Sequence, residues 1–282
     1  MPIVYLNSEY LPQEKATVSV EDRGFLFAEG IYEVARAYAG RLFRWEDHME
    51  RLRASLEAMR IPPPAALEGL RAIAERLLAE NNEQDSNVYI QVTRGPAHPR
   101  THTFPEQVHP TLLVMLTPAH GPSAEVRAQG VSAMTLPDLR WLRCDVKSTM
   151  LMPNTLAKQL ARESGAFEAI LVRDGIVTEG SSTNIFAVIG GRLRTHPADQ
   201  LILPGVSRQV VLERAAAVCL PCYEESFTLQ QLYSAEEVFL SSTTAEVLAI
   251  TQIDGRAVAS GRPGPLTLRL ADEFSRYVLS LG

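Results

Sequence analysis

The chain has 282 residues, 46% hydrophobic and 21% charged, which is enough apolar material for two buried cores and argues against disorder. A net charge of −6 gives no electrostatic footing for nucleic acid. No apolar run reaches the roughly 20 residues of a membrane-spanning helix, and Asn7, Glu9 and Glu14 follow Met1-Pro2-Ile3-Val4 too closely for a signal peptide, so a cytoplasmic protein is expected.

In chain order, alternation on both sides of Asn7-Ser8-Glu9 predicts a hairpin, and Gly30–Leu42 predicts another that turns at Ala39-Gly40. Met49, Leu52, Leu56 and Met59 repeat at helical spacing across Trp45–Met59. After Pro62-Pro63-Pro64 the same pattern returns in Leu67, Leu70, Ala74 and Leu77. Two core strands, Asn87–Thr93 and Thr111–Leu116, flank a loop from Gly95 to Pro105. The Gly- and Pro-bearing stretch Pro118–Ser123 marks a linker. Beyond it, Asp174-Gly175, Gly190-Gly191 and Asp254-Gly255 predict hairpin turns, and helices are expected at Pro153–Glu163, Ser207–Val218 and Pro265–Leu281. The predicted organisation is a small α+β domain over residues 1–118, a linker over 119–130 and a larger, strand-rich α+β domain over 131–282.

Three cysteines do not make a disulfide framework. Cys219 and Cys222 form a C-x-x-C, but they follow a helix, and the negative end of its dipole disfavours a thiolate. Buried thiols are the expectation over a redox or metal pair, although the pair's role stays open. The six histidines show no metal-ligand spacing, and no metal is expected.

Of 27 basic residues only Lys15, Lys147 and Lys158 are lysines. Where arginine serves nearly every positive charge, a lysine can mark a need for an amine able to lose its proton and attack a carbonyl. Lys15 lies in the polar run Gln13-Glu14-Lys15, and Lys158 sits opposite the Leu156/Leu160 stripe of its predicted helix, so both read as solvated. Lys147 ends the alternating run Arg140–Ser148 that leads into a helix. Local sequence leaves it either a partner of Asp145 or a reactive amine at the edge of a domain.

A reactive lysine of the pyridoxal-phosphate kind needs an acid for a ring nitrogen, donors for a phosphate and a grip for a carboxylate. Glu179, in Val177–Asn184, is a candidate acid. Val206 and Ser207, opening a helix after Leu203-Pro204-Gly205, offer free N–H groups. Ser242 and Thr243, in Ser241–Thr244, form a second donor cluster, although Thr243 and Glu246 also have capping-box spacing. Arg51 could add a charged donor or simply pair with Asp47. Alternation puts Arg100 and His102 on one side of an extended loop, where an arginine fork and an imidazole could hold a carboxylate.

Together these segments resemble the class IV pyridoxal-phosphate-dependent aminotransferase family, and within it the bacterial D-amino-acid aminotransferases. The carriers are Glu21-Asp22-Arg23-Gly24 with Gly30-Ile31-Tyr32-Glu33-Val34, then Tyr89–Gly95, Arg100-Thr101-His102, Arg140–Ser148, Thr178–Asn184 and Ser241–Thr244, in that order. The resemblance implies a two-domain α+β fold with pyridoxal 5'-phosphate between the domains, carried as a Schiff base on Lys147, which also shuttles the substrate proton. It implies Glu179 on the ring nitrogen and Leu203 against the ring. Phosphate would be held by Arg51, Val206, Ser207, Ser242 and Thr243. Tyr32, Arg100 and His102 would trap the substrate carboxylate in a homodimer. The implied reaction is ping-pong transamination of D-amino acids, such as D-alanine or D-glutamate, with 2-oxo acids. The alternatives are a branched-chain-type L-aminotransferase or an aminodeoxychorismate lyase. One departure is Thr149-Met150 after Lys147-Ser148, where D-specific relatives commonly carry Leu-Asn, and this leaves the preferred side chain open.

Overall fold

The computed structural model describes residues 1–280 and resolves two compact units. The first comprises Met1–Ala119 and the short strip Val146–Met150. Its strands are β1 (Ile3–Leu6), β2 (Glu9–Pro12), β3 (Gly30–Tyr38), β4 (Arg41–Leu42), β5 (Ser86–Thr93) and β6 (Thr111–Pro118), with α1 (Arg23–Phe27), α2 (Trp45–Ala58) and α3 (Leu70–Glu80) between them. The strands form one sheet in the order β2-β1-β6-β5-β3-β4, antiparallel throughout. Both predicted hairpins are present. The helical stripe of α2 buries Trp45, Met49, Leu52 and Leu56, and that of α3 buries Leu70, Ile73, Ala74, Leu77 and Leu78. Each Leu, Ile and Met among them contributes about 1.5–3 kcal/mol when removed from water, so these two stripes are what hold the helices on the sheet.

The second unit comprises His120–Asp145 and Leu151 onward. It contains α4 (Ala124–Gln129), β7 (Val131–Pro137), α5 (Met152–Glu163), β8 (Glu168–Arg173), β9 (Ile176–Gly180), β10 (Asn184–Ile189), β11 (Arg192–Thr195), α6 (Val206–Ala217), β12 (Cys222–Glu224), α7 (Leu229–Tyr233), β13 (Glu237–Ser242), β14 (Glu246–Ile253), β15 (Arg256–Ala257) and α8 (Pro265–Ser280). The sheet runs β12-β11-β10-β13-β14-β7-β8-β9, with β15 paired to β14. It mixes antiparallel hairpins with parallel contacts at β11/β12, β14/β7 and β7/β8. The three Gly-containing turns lie where expected. Leu281, the end of the expected last helix, lies outside the described residues. Among the described residues no helix is long and apolar enough to cross a membrane.

The structure departs from the sequence reading at several places. The segment expected as linker contains α4, whose N-terminus is capped by the Ser123 hydroxyl accepting from Val126 N. The strip Val146–Met150, expected in the C-terminal domain, packs with the first unit because its backbone bonds to β3. On α5 the expected apolar stripe is inverted: Ala157 and Ala161 are buried against Ala169 and Leu171, while Leu156 and Leu160 are exposed. Small side chains allow the helix closer to the sheet, and volume beats hydropathy in choosing the inner face. The Thr243/Glu246 pair caps no helix; it spans the β13–β14 turn, where the Ser242 hydroxyl accepts from Ala245 N at 3.0 Å. Cys219 is exposed, contrary to the buried-thiol reading, because it stands beyond the end of α6 with φ +57°. Burial pushes the Cys222 thiol up to about 12.

Candidate active site

In the first unit, Lys147 is fixed through its backbone. Its carbonyl accepts from Tyr32 N at 2.9 Å, its N–H reaches the Ser55 hydroxyl at 3.3 Å, and Thr149 N donates to Gly30 O at 2.9 Å. An isolated bridge, Ile31 to Ser148, is all that the alternating run contributes to the sheet; Arg140–Lys147 is not a strand. The Lys147 Nζ lies 4.4 Å from the centroid of the Tyr32 ring. Asp145, the alternative partner, is taken by a two-pronged pair with Arg143 at 3.0 Å. Among the described residues no carboxylate pairs with Lys147, so its amine is presented over an aromatic face without a counter-ion. Lys15 is exposed, as expected, whereas Lys158, although exposed, donates to the Phe167 carbonyl and lies 3.6 Å from Glu168.

Ser55 shares its helix face with His48 and Arg51, at spacings of three to seven along α2. Asp47 is held by Arg44, and Arg51 reaches across to β3. The Arg51 Nε and Nη2 grip the two oxygens of Glu33, at 2.7 and 2.8 Å, and His48 Nδ1 meets the same carboxylate at 2.9 Å. Burial would raise the Glu33 pKa, but the Arg51 guanidinium and the bonds from Arg51 and His48 outweigh it and hold the carboxyl well below the usual range. His48 goes the other way, since burial lowers its pKa more than Glu33 restores it, and the imidazole stays neutral. The fork fixes the plane of the Arg51 guanidinium.

The Gly95–Pro105 loop is irregular and largely exposed. It brings Arg100 and His102 to one ring: the Arg100 guanidinium lies 4.3 Å from the Phe27 centroid, and the His102 ring 5.5 Å from it. Among the described residues Arg100 makes no ion pair. Tyr32, the third member of the expected trap, stacks on Tyr89 with centroids 5.7 Å apart.

In the second unit, Glu179 near the end of β9 is buried and almost fully engaged. Leu203 N approaches both its oxygens at 3.1 Å, Asn184 Nδ2 donates at 3.0 Å, and Arg140 Nη1 closes a short ion pair. Arg140 also forks onto Asp138, at 2.9 and 2.8 Å, and donates to Leu201 O at 3.0 Å. Burial alone would raise the Asp138 pKa, but the bonds from Arg140, with Arg173 behind, bring it down to about 2. Leu203 O accepts from Asn184, so the segment leading to α6 is stitched to the same carboxylate. The α6 N-terminus has Gly205 as its cap residue and no side-chain cap, with Val206 and Ser207 buried behind it. A Cβ at Gly205 would run into Asn184 Oδ1, so any larger residue there would force the Asn184 side chain to shift. Near the end of β13, next to Ser242 and just before the β13–β14 turn, the Ser241 hydroxyl is buried with no hydrogen-bond partner among the described residues.

The amino-transferase class IV family pattern matches residues 30–253. The chain belongs to this family. It is 44% identical over 280 residues to the D-alanine aminotransferase of Staphylococcus epidermidis, covering 99% of each chain. Among solved structures it resembles the branched-chain amino acid aminotransferase of Escherichia coli, with TM-score 0.90, 26% identity and coverage of 97% and 93%. It also resembles that of Thermoproteus uzoniensis with norvaline, with TM-score 0.88, 29% identity and coverage of 99% and 95%.

Sequence reasoning passed over Arg140, Glu33, His48 and Phe27. Asp138 and Arg140, two apart in one segment, were a readable signal, as were His48 and Arg51 three apart on a helix. Phe27 carried none, because its role depends on a loop more than seventy residues away along the chain. The departure at Thr149 is absorbed locally, since its hydroxyl donates to the carbonyls of Ala28 and Gly30 at 3.1 and 3.2 Å.

Proposed function

We propose that this class IV aminotransferase uses pyridoxal 5'-phosphate to exchange amino groups between D-amino acids, such as D-alanine and D-glutamate, and 2-oxo acids, with ping-pong kinetics. The donor set suits such a cofactor: an unpaired amine at Lys147, a buried carboxylate held rigid at Glu179, a helix N-terminus without a side-chain cap and an orphaned buried hydroxyl at Ser241. When bound, pyridoxal phosphate supplies an aldehyde for the amino group and a ring that draws electrons from the substrate carbon.

Lys147 would hold the cofactor through Nζ; once the incoming amino group has displaced it, the freed Nζ would take the α-proton from the substrate carbon and pass it to the cofactor carbon. Glu179, held immobile by Arg140, Asn184 and Leu203 N, would accept the hydrogen bond of the protonated ring nitrogen. Leu203 would pack on the ring. The N–H groups of Val206 and Ser207, the Ser242 and Thr243 hydroxyls and Arg51 would bind its phosphate. Tyr32, Arg100 and His102 hold the substrate carboxylate.

The observation that carries the substrate reading is the pair Arg100 and His102 on one half-buried ring, Phe27, with no carboxylate paired to Arg100 among the described residues. The 44% identity to a D-alanine aminotransferase, against 26–29% to the branched-chain structures, supports the same choice over the L-specific alternative. A homodimer belongs to this reading, supported by the exposed apolar side chains Phe25 and Phe104 on the segments that carry the trap. So does a cytoplasmic location, which suits three free thiols. The test is amino transfer to 2-oxoglutarate from D- and L-alanine. Turnover of the L-isomer alone refutes the assignment, and pyruvate release from aminodeoxychorismate would favour a lyase.

A further inference from the structure

The loop that carries Arg100 and His102 contains no regular structure, yet a carboxylate trap works only if its two donors keep a fixed spacing. The loop is tied at several points within the first unit. At its base Gly95 adopts φ +85°, and a Cβ there would run into the His109 carbonyl, so the two arms of the loop close tightly. Inside, two buried arginines share one carboxylate. Arg23 gives Nε and Nη2 to Glu29 at 2.8 and 2.6 Å, and Arg94 gives Nε to it at 2.6 Å. Each then reaches out to the loop. Arg23 Nη1 donates to Thr101 O at 2.8 Å, the residue between the two trap side chains, and the Arg94 guanidinium lies 3.6 Å from the Phe104 centroid. Arg94 is itself anchored on the carbonyls of Met59 and Arg60, at 2.9 and 2.7 Å. Phe27 completes the arrangement. Its ring is approached by Arg23 at 4.6 Å, by Arg100 at 4.3 Å and by the His102 ring at 5.5 Å.

We propose that Phe27, seated on the Arg23–Glu29–Arg94 clamp, is the positioning residue that sets the geometry of the Arg100/His102 carboxylate trap and so the affinity for substrate carboxylates. The inference rests on the reading above, in which Arg100 and His102 hold the substrate carboxylate. The physics is specific to a ring. An aromatic face attracts a guanidinium through its quadrupole without neutralising it, so Arg100 is oriented and still carries its full charge for a ligand. A carboxylate in place of Phe27 would orient Arg100 equally well and consume it. The clamp leaves no competing anion, because both Glu29 oxygens face Arg23 and Arg94.

The test uses the dimeric holoenzyme with Phe27→Leu, Phe27→Tyr and Arg100→Ala. Phe27→Leu is expected to raise KM for D-alanine and for 2-oxoglutarate by about 5–20-fold, with kcat changed less than about twofold. The inhibition constant of a simple carboxylate, propionate, rises in parallel, while the cofactor absorbance and Tm stay near wild type. Phe27→Tyr restores wild-type KM, because it keeps the ring. If Phe27→Leu fails to fold, Glu29→Gln carries the test, with the same selective rise in KM expected. The proposal is overturned if Arg100→Ala raises KM and Phe27→Leu or Glu29→Gln does not, and the trap reading then survives. It is overturned equally if kcat, Tm and cofactor absorbance fall together, since that marks a merely structural role. An unchanged KM in Arg100→Ala removes the trap reading and this inference with it.

Discussion

Replacement of Arg140 by methionine removes the centre of the buried charge network in the second unit. The guanidinium makes a two-pronged pair with Asp138, a short pair with Glu179 and a bond to the Leu201 carbonyl, and it is almost wholly shielded from water. Methionine fills a similar length but leaves two buried carboxylates. Breaking a buried pair costs about 3–5 kcal/mol, chiefly because the remaining charge is stranded. Here the stranding is partial: Asp138 keeps Arg173 at 3.1 Å and the Thr178 hydroxyl at 3.0 Å, and Glu179 keeps Asn184 and Leu203 N. The lower end, about 3 kcal/mol, is therefore expected, and at about 2–4 °C per kcal/mol for a chain of this size Tm falls by about 6–12 °C. Circular-dichroism melting at pH 7, with and without added pyridoxal phosphate, measures it. The deficit should shrink as pH falls toward about 2, where Asp138 begins to protonate in the native protein too. Arg140→Lys should recover part of the loss, because it keeps the charge but not the fork. Melting within about 2 °C of wild type would refute the claim that this network is a stabilising one.

Lys147→Arg should abolish transamination while keeping the positive charge, because a guanidinium does not give up its proton at working pH. Borohydride should then no longer couple cofactor to the chain, as read by intact-protein mass. Gly205→Ala should weaken pyridoxal phosphate binding by about tenfold or more, since the new methyl displaces Asn184 and with it Glu179; an absorbance titration gives the constant, and an unchanged one contradicts the role given to that turn. In acid, Asp138 has its carboxyl lowered from 3.8 to about 2, so its contribution of about 2 kcal/mol is complete above the unfolded value and is lost as pH falls through the folded one. Glu33 is lowered in the same sense and adds to the same loss. Equilibrium urea unfolding should therefore show stability falling between about pH 4 and pH 2 in wild type, and less steeply in Asp138→Asn.

Much of the site was legible from residue type and order. Lys147 stood out because it is one of three lysines, and Asp145, its obvious alternative partner, proves to be paired with Arg143. Arg100 and His102, expected on one side of an extended segment, both lie by the Phe27 ring, although the loop that carries them is irregular. The hairpins at Ala39-Gly40, Asp174-Gly175 and Asp254-Gly255 were legible because turn chemistry and strand period are local.

What local sequence could not supply was the identity of partners. Arg51 was read as a phosphate donor, with Asp47, its neighbour on the helix, as the alternative partner; its observed pair with Glu33 on β3, eighteen residues away, was not legible. Leu156 and Leu160 read as the inner face of α5, yet the sheet accepts Ala157 and Ala161, because packing distance is set by the surface opposite. The alternating run before Lys147 looked like a strand but has only one bridge to offer, since a strand exists only where a neighbour supplies its hydrogen bonds. Sequence by itself determined the chemical inventory, the turns and the periodic elements, which depend on residues a few positions apart. Tertiary structure alone decided which charge meets which, that Phe27 stands under Arg100 and His102, and that Arg140 stands behind Glu179. Those pairings join residues 18 to more than 70 positions apart, and only the folded chain sets the distances on which Coulomb and cation–π attractions depend.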